Sequence, residues 1–352
     1  MRTVAFVVLV GCGGGSASPD ALARVPLVID SVTDLGVLPL SPQEVGRDGG
    51  QSGLLGGQVL FAFGDTFLTA PNSIDQSTVL SATAGWSTPG DPLALAQAMA
   101  GAEPAQLIPY TAAEIALNKT DSLNGWALWP NALVDVGTDQ GLITFQRIKR
   151  MKGGGFTSVG VSTAHLAAGA PIATRDASDL FAPPEPLFQP AFAHDGHVYA
   201  WECESIGFLN FGCKLARAPL AGATQRSAYE FYDGTAWQAD IAKAAVILEH
   251  GLAPSISYNA HLQRFLAVTC EVVSSTMLLR TAEAIEGPWS EDTEIMAGAT
   301  GVLAPKNASD YNYICVEHPE LASADGTSIV LGYSRPTDPF RGDVRLARVA
   351  LH

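Results

Sequence analysis

Charge is scarce in this chain of 352 residues: only 16% of it is Asp, Glu, Lys or Arg, and the positive share is the smaller one, 20 Lys and Arg against 35 Asp and Glu. The resulting formal net charge of -15 argues against nucleic acid as a partner, because phosphates are repelled by such a field. Low charge together with 47% hydrophobic residues also excludes general disorder, so a sizeable core is expected. Helix signals are few, and aromatic residues make up 8%. There is no HExxH, no GxSxG and no serine-type triad spacing. The glycine-rich stretch 46–57 does not open a helix, which removes a dinucleotide or phosphate loop. No cofactor is expected. A calcium ion on carbonyl and carboxylate ligands in a central channel is compatible with the composition, but no loop demands it; no metal ligand is assigned.

Long apolar runs are missing too. The run 4–10 behind Arg2 is far short of the roughly 20 residues that span a bilayer, so a signal peptide is favoured over a membrane helix. Leu9-Val10-Gly11-Cys12 resembles a bacterial lipobox, which makes residues 1–12 a lipoprotein signal peptide with Cys12 as the lipidated residue. Residues 13–27 then read as a Gly/Ser-rich tether. Contact with a membrane is expected through that anchor alone, with the protein exported to the periplasm or cell surface as a monomer. Only five cysteines are present. Setting Cys12 aside leaves Cys203, Cys213, Cys270 and Cys315, an even set without a CxxC pair, which favours two disulfides over a zinc site. Three pairings are open; Cys203 with Cys213 would close a short hairpin-like loop, and Cys270 with Cys315 would tie two later segments.

What the chain has in quantity is a repeated strand plan. Phe188-Gln189-Pro190-Ala191-Phe192 leads through an Asp195-Gly196 turn into an alternating strand ending at Trp201, and a third strand follows at Cys213 to Ala218. The plan recurs from Pro254-Ser255 and again from His318-Pro319-Glu320-Leu321. Weaker copies begin at Trp129-Pro130-Asn131 and at Asp48. Five meanders of about 60 to 80 residues predict an all-β, five-bladed β-propeller over residues 28–352, with 28–32 supplying a strand that closes the ring. An insertion over about 68–126, with helices near 92–99 and 112–117, separates the first two blades.

The inner strands of a propeller start around one axial depression. Here those starts carry Asp48, Asn131, Gln189, Pro254 and the His318-Glu320 pair, with Trp126, Trp129, Trp201 and Tyr311 beside them. Aromatic faces next to carboxylates and amides suit a sugar. Asp48 and Asp65 bracket one short strand and form the first acid/base pair, expected at the same blade end and at a separation of about 5 to 10 Å suited to glycoside hydrolysis. For Asp65 the competing role is to bond its own turn. Trp129, Asn131, Gln189 and Glu320 are expected to touch substrate, and His318 is read either as the partner of a substrate hydroxyl or a central ion, or as a satisfied core histidine. Arg47 and Arg335 are counted among the substrate-binding residues and are read either as partners of a catalytic Asp or as rim ion pairs. Glu202 shares a strand face with Glu204 and is read as a general acid or substrate contact, or as a solvated rim carboxylate.

Three segments carry a family resemblance: Arg47-Asp48-Gly49-Gly50-Gln51-Ser52 with Phe63-Gly64-Asp65-Thr66-Phe67, then 229–237, then 279–289. Together they resemble the DUF4185 family of exported bacterial proteins, over about residues 28–350. The resemblance implies a five-bladed propeller similar to the arabinanase and levansucrase glycosidases. It also implies cleavage of a furanose-rich, arabinan-like polysaccharide, as in members assigned as endo-D-arabinanases. The second repeat lacks an acid matching the third carboxylate of those glycosidases. The competing class is a propeller that binds glycan or protein at the cell surface without chemistry.

Overall fold

The computed structural model describes residues 27–249, 254–271, 276–295, 311–338 and 341–352. Cys12, the lipobox and most of the tether lie outside them. Five antiparallel sheets form the blades of a β-propeller. Their inner strands are Glu44–Leu55, Trp126–Gly137, Gln189–His194, Ser255–Asn259 and Tyr313–Glu317. Each leads by a hairpin into the next strand outward. At Asp195-Gly196 both turn residues have positive φ, 44° and 74°, the geometry that matches strand twist and that Asp-Gly adopts readily. The ring closes as expected: Ile29–Val37 pairs antiparallel with the last strand, Arg341–Leu351, and completes the fifth blade.

Apolar side chains on both faces of the blades fill the spaces between neighbours. Leu60 and Ala62 of blade 1 meet Leu128 and Phe145 of blade 2, and Val134 and Leu142 meet Val198 and Phe231. Trp201 and Leu215 meet Ile256 and Phe265; Leu266 and Leu279 meet Ile329 and Tyr333; and Val330 and Leu346 return to Phe61 and Phe63. Blade docking is therefore a closed cycle of burial with no free end. Both disulfides form, Cys203–Cys213 across two strands of blade 3 and Cys270–Cys315 from blade 4 to blade 5.

Three expectations are corrected. The first half of 68–126 is not an insertion, because Val79–Thr88 and Asp91–Gln97 are the third and fourth strands of blade 1. Asp91–Gln97 is a strand although Pro92-Leu-Ala-Leu-Ala was read as helix: Ala and Leu favour a helix locally, but pairing Trp86 with Ala96 and Gly85 with Gln97 prevails. The helix at Ala112–Thr120 is present, opened by a Thr111–Glu114 capping box. Finally, the inner strand of blade 5 is Tyr313–Glu317, and His318 to Leu321 follows it, passing into the 3-10 turn Pro319–Leu321.

Candidate functional site

Two β-bulges shape the first inner strand at Asp48, one spanning it between Arg47 and Gly49 and one just after it between Gly49 and Gln51. Bulges re-aim side chains, and here Asp48 is turned onto the wall of a cavity of about 1110 Å³ along the propeller axis. Its Oδ1 accepts the backbone N–H of Asp65 at 2.8 Å, and its Oδ2 accepts the Tyr313 hydroxyl at 3.2 Å. The approach is close enough that only glycine fits opposite: a Cβ on Gly64 would stand 2.7 Å from Asp48 Oδ1. Burial, with the charge of Asp65 adding to it, pushes the Asp48 carboxyl up to about 7.

Asp65 is placed one strand back. Its Oδ1 accepts from Arg150 at 2.7 Å and from the Trp129 indole N–H at 3.2 Å, and among the described contacts its Oδ2 carries none. Its side chain is 14% exposed, and it is not on the cavity wall. The expectation that both acids face the axial pocket is met by Asp48 and not by Asp65, whose first partners belong to blade 2. The pair is nevertheless contiguous, and the two carboxyls stand in different settings. Asp48 has neutral donors, whereas Asp65 has a guanidinium.

Trp129, Asn131, Gln189, Glu202 and Glu320 all line the cavity. Asn131 donates to Gln189 at 3.2 Å, linking blades 2 and 3, and Phe156 packs edge-on against Trp129 with ring centroids 4.7 Å apart. Burial and the neighbouring Glu204 raise the Glu202 carboxyl, and burial raises Glu320. Glu317 also lines the cavity; burial pushes it up to about 7 while Ser257 donates to it at 2.5 Å. Among the described residues no three His, Cys, Asp or Glu side chains gather to hold a metal.

Three expected contacts point elsewhere. Arg47 neighbours Asp48 in an extended strand and therefore faces the opposite way. It is fully buried, donates to Gln97 and to the Pro39 carbonyl, and lies 3.7 Å over the Phe63 ring. His318 is fully buried behind the wall, bonded through Nδ1 to Ser52, whose hydroxyl donates to Glu320. Burial brings His318 down to about 3, so it is neutral. Arg335 is buried, donates to Asn312 at 3.3 Å, and is not on the wall. Tyr313, Arg150, Phe156 and Glu317 were not anticipated. A run of aromatic and β-branched residues, Tyr311 to Val316, was the available signal for Tyr313 and Glu317.

A domain of unknown function, DUF4185, matches residues 31–335. The chain belongs to the DUF4185 family. No curated protein is similar to it in sequence. In fold, this DUF4185 propeller is similar to a candidate hydrolase of Bacteroides ovatus, at a TM-score of 0.61 and 15% identity over 89% of this chain and 87% of that one. It is similar to a GH43_1 enzyme of Xanthomonas citri crystallised with xylose, at 0.50 and 12% over 90% of each chain. The exo-beta-1,3-galactanase 1,3Gal43A of Clostridium thermocellum gives 0.50 and 9%, over 92% of this chain and 62% of that one. At such identities the likeness is one of fold. The DUF4185 chain thus has the architecture of glycoside-hydrolase propellers, and its own residues must supply any chemistry.

Proposed function

We propose that this protein is an exported lipoprotein, anchored through Cys12, that hydrolyses a furanose-rich, arabinan-like polysaccharide with Asp48 and Asp65 as its carboxylate pair. The observation that carries the reading is Asp48 itself: a carboxyl on the wall of the axial cavity, held near pH 7 by burial, and one strand from an ion-paired Asp65. Glycoside hydrolysis needs a protonated carboxyl at the leaving oxygen and an ionised one to serve the anomeric centre. Asp48 has the environment of the first. It gives its proton to the glycosidic oxygen as the C–O bond breaks. Asp65 stands behind the wall, paired with Arg150; its backbone N–H holds Asp48, and a water adds to the anomeric carbon and returns its proton to Asp48. Trp129 with Phe156 presents ring faces, and Asn131, Gln189, Glu202 and Glu320 present hydrogen-bonding groups to hydroxyls.

Export is supported by the two disulfides, bonds that persist in oxidising compartments. The test is incubation of the purified protein with arabinogalactan, analysing released oligosaccharides for wild type and Asp48→Asn. Release by wild type and its loss in the variant are expected. Binding without release would mark a glycan-binding propeller, and release that survives the substitution would remove Asp48 from the mechanism.

A further inference from the structure

In blade 3 the inner strand begins at Gln189, which pairs with Trp201 of the second strand. That second strand runs on to Gly207, and the third returns from Asn210. Beyond Trp201 the hairpin has no inner strand paired to it among the described residues, and Glu202 and Cys203 become cavity wall themselves. At about 3.3 Å per residue the hairpin rises roughly 20 Å above Trp201. Its base is rigid. Cys203–Cys213 staples it, Lys214 bridges Glu204 at 2.6 Å, and Val246–Glu249 pairs along 212–214.

The tip contradicts ordinary turn chemistry. Gly207 pairs with Asn210, leaving the two-residue loop Phe208-Leu209, with Phe208 94% exposed and Ile206 and Leu209 about half exposed. Leu209 sits at φ 54°, a conformation that glycine or asparagine takes at far lower cost. A stapled, strained turn that holds a phenylalanine ring in water has the character of a contact surface, because strain and exposure persist where something is gained from them.

We propose that this hairpin is an outer subsite, in which Phe208 stacks on a sugar ring of a glycan chain emerging from the axial cavity. The proposal rests on the reading of that cavity as a glycan site. Location selects this occupant: Glu202 and Cys203 line the cavity and the same strand runs on from them to the tip, so a chain too long for the cavity leaves beside the hairpin. A bilayer is the less suited partner, since Lys214 at the base is already paired with Glu204 and the net charge of -15 opposes an anionic surface. The consequence is a preference for long chains over short ones.

The experiment compares kcat/KM on polymeric arabinan with that on a short arabinofuranosyl oligosaccharide, for the full chain carrying Phe208, Phe208→Ser or Phe208→Trp. The ratio of polymer to oligosaccharide should fall about fivefold to tenfold in Phe208→Ser and be restored in Phe208→Trp, which keeps a ring face. In parallel, Asp48→Asn protein should be retarded by arabinan in an affinity gel, and less so when Phe208→Ser is added. An unchanged ratio in a wild-type enzyme that cleaves arabinan overturns the outer subsite alone. Neither cleavage nor retardation overturns the glycan reading as well. Phe208-dependent flotation with phosphatidylglycerol vesicles makes the finger a membrane contact and also overturns the proposal.

Discussion

Replacing Asp48 by asparagine should stabilise the protein, and by an amount that grows with pH. In the unfolded chain the carboxyl ionises near its model value of 3.8, whereas burial and the charge of Asp65 hold it near 7 in the fold. Between these values the folded state binds more protons than the unfolded one, so stability falls as pH rises through the window. At 1.36 kcal/mol per unit the cost of ionising this group is about 1 kcal/mol at pH 4.5 and about 4 kcal/mol at pH 8. Asparagine keeps the shape and still accepts the Asp65 N–H, but it has no charge to bury. Urea unfolding of wild type and Asp48→Asn at both pH values isolates the difference, because the other titrating groups are common to the two proteins. The variant's advantage should widen by about 2 to 4 kcal/mol from pH 4.5 to pH 8. An advantage that is constant with pH, or that shrinks as pH rises, refutes the account of Asp48 as a buried, proton-holding acid, whatever the enzyme assays say.

Tyr313→Phe removes the hydroxyl that donates to Asp48 and favours its ionised form, so the alkaline limb of the pH–activity profile should move up, by about half a unit to one unit. His318 behaves in the opposite sense to Asp48. Its ring is held neutral down to about 3 against 6.5 in the unfolded chain, so stability is lost as pH falls below 6.5 while the unfolded chain takes up the proton. About 2 to 3 kcal/mol of that loss by pH 4.5 should be absent in His318→Gln, read from the same urea curves. Arg47→Ala should cost about 3 to 5 kcal/mol in chemical denaturation, since it leaves Glu44 buried without its cation. The disulfides should differ in weight: from loop length, losing Cys270–Cys315, 45 residues apart, costs about 4 kcal/mol, and losing Cys203–Cys213, 10 apart, about 3, as paired Cys→Ser variants would show.

Hairpins were the legible part of this fold, because turn chemistry is local. Asp195-Gly196 identified a two-residue loop, the repeated strand plan gave the number of blades, and 28–32 was identified as the closing strand that pairs with Arg341–Leu351. Elements whose state is decided by distant partners were not legible. Asp91–Gln97 has helix-forming residues and becomes a strand only by pairing with Val79–Thr88. Tyr313–Glu317 lacks the proline found in or just before the inner strands of blades 2 to 4, and the His318-Pro319 marker belongs to the turn that follows it. In the site, Asp48 was found from its glycines, whereas its setting was not: Arg150 lies 85 residues beyond Asp65, and nothing local joins them. Arg47 obeys a local rule. Strand alternation alone sends it away from the face that Asp48 occupies.

The bulged first strand explains why the two acids differ despite being neighbours. With regular pairing, Asp48 would sit in register with a residue on the second strand and share its surroundings. Because Gly49 and Gly50 take positive φ, 88° and 90°, the strand shifts register twice within four residues, and Asp48 instead receives the backbone N–H of Asp65. The N–H and the carboxylate of one residue are thus divided between two functions: the main chain of Asp65 holds Asp48 in place, while its side chain turns to Arg150 and Trp129 in the next blade. The charge of Asp65 opposes ionisation of Asp48, and Arg150 favours it more weakly. Loss of Arg150 would leave Asp65 uncompensated and should raise Asp48 further; loss of the Asp65 charge should lower it. The sign of each shift follows from the sign of the charge removed, and blade 1 packing against blade 2 brings both charges to act on Asp48.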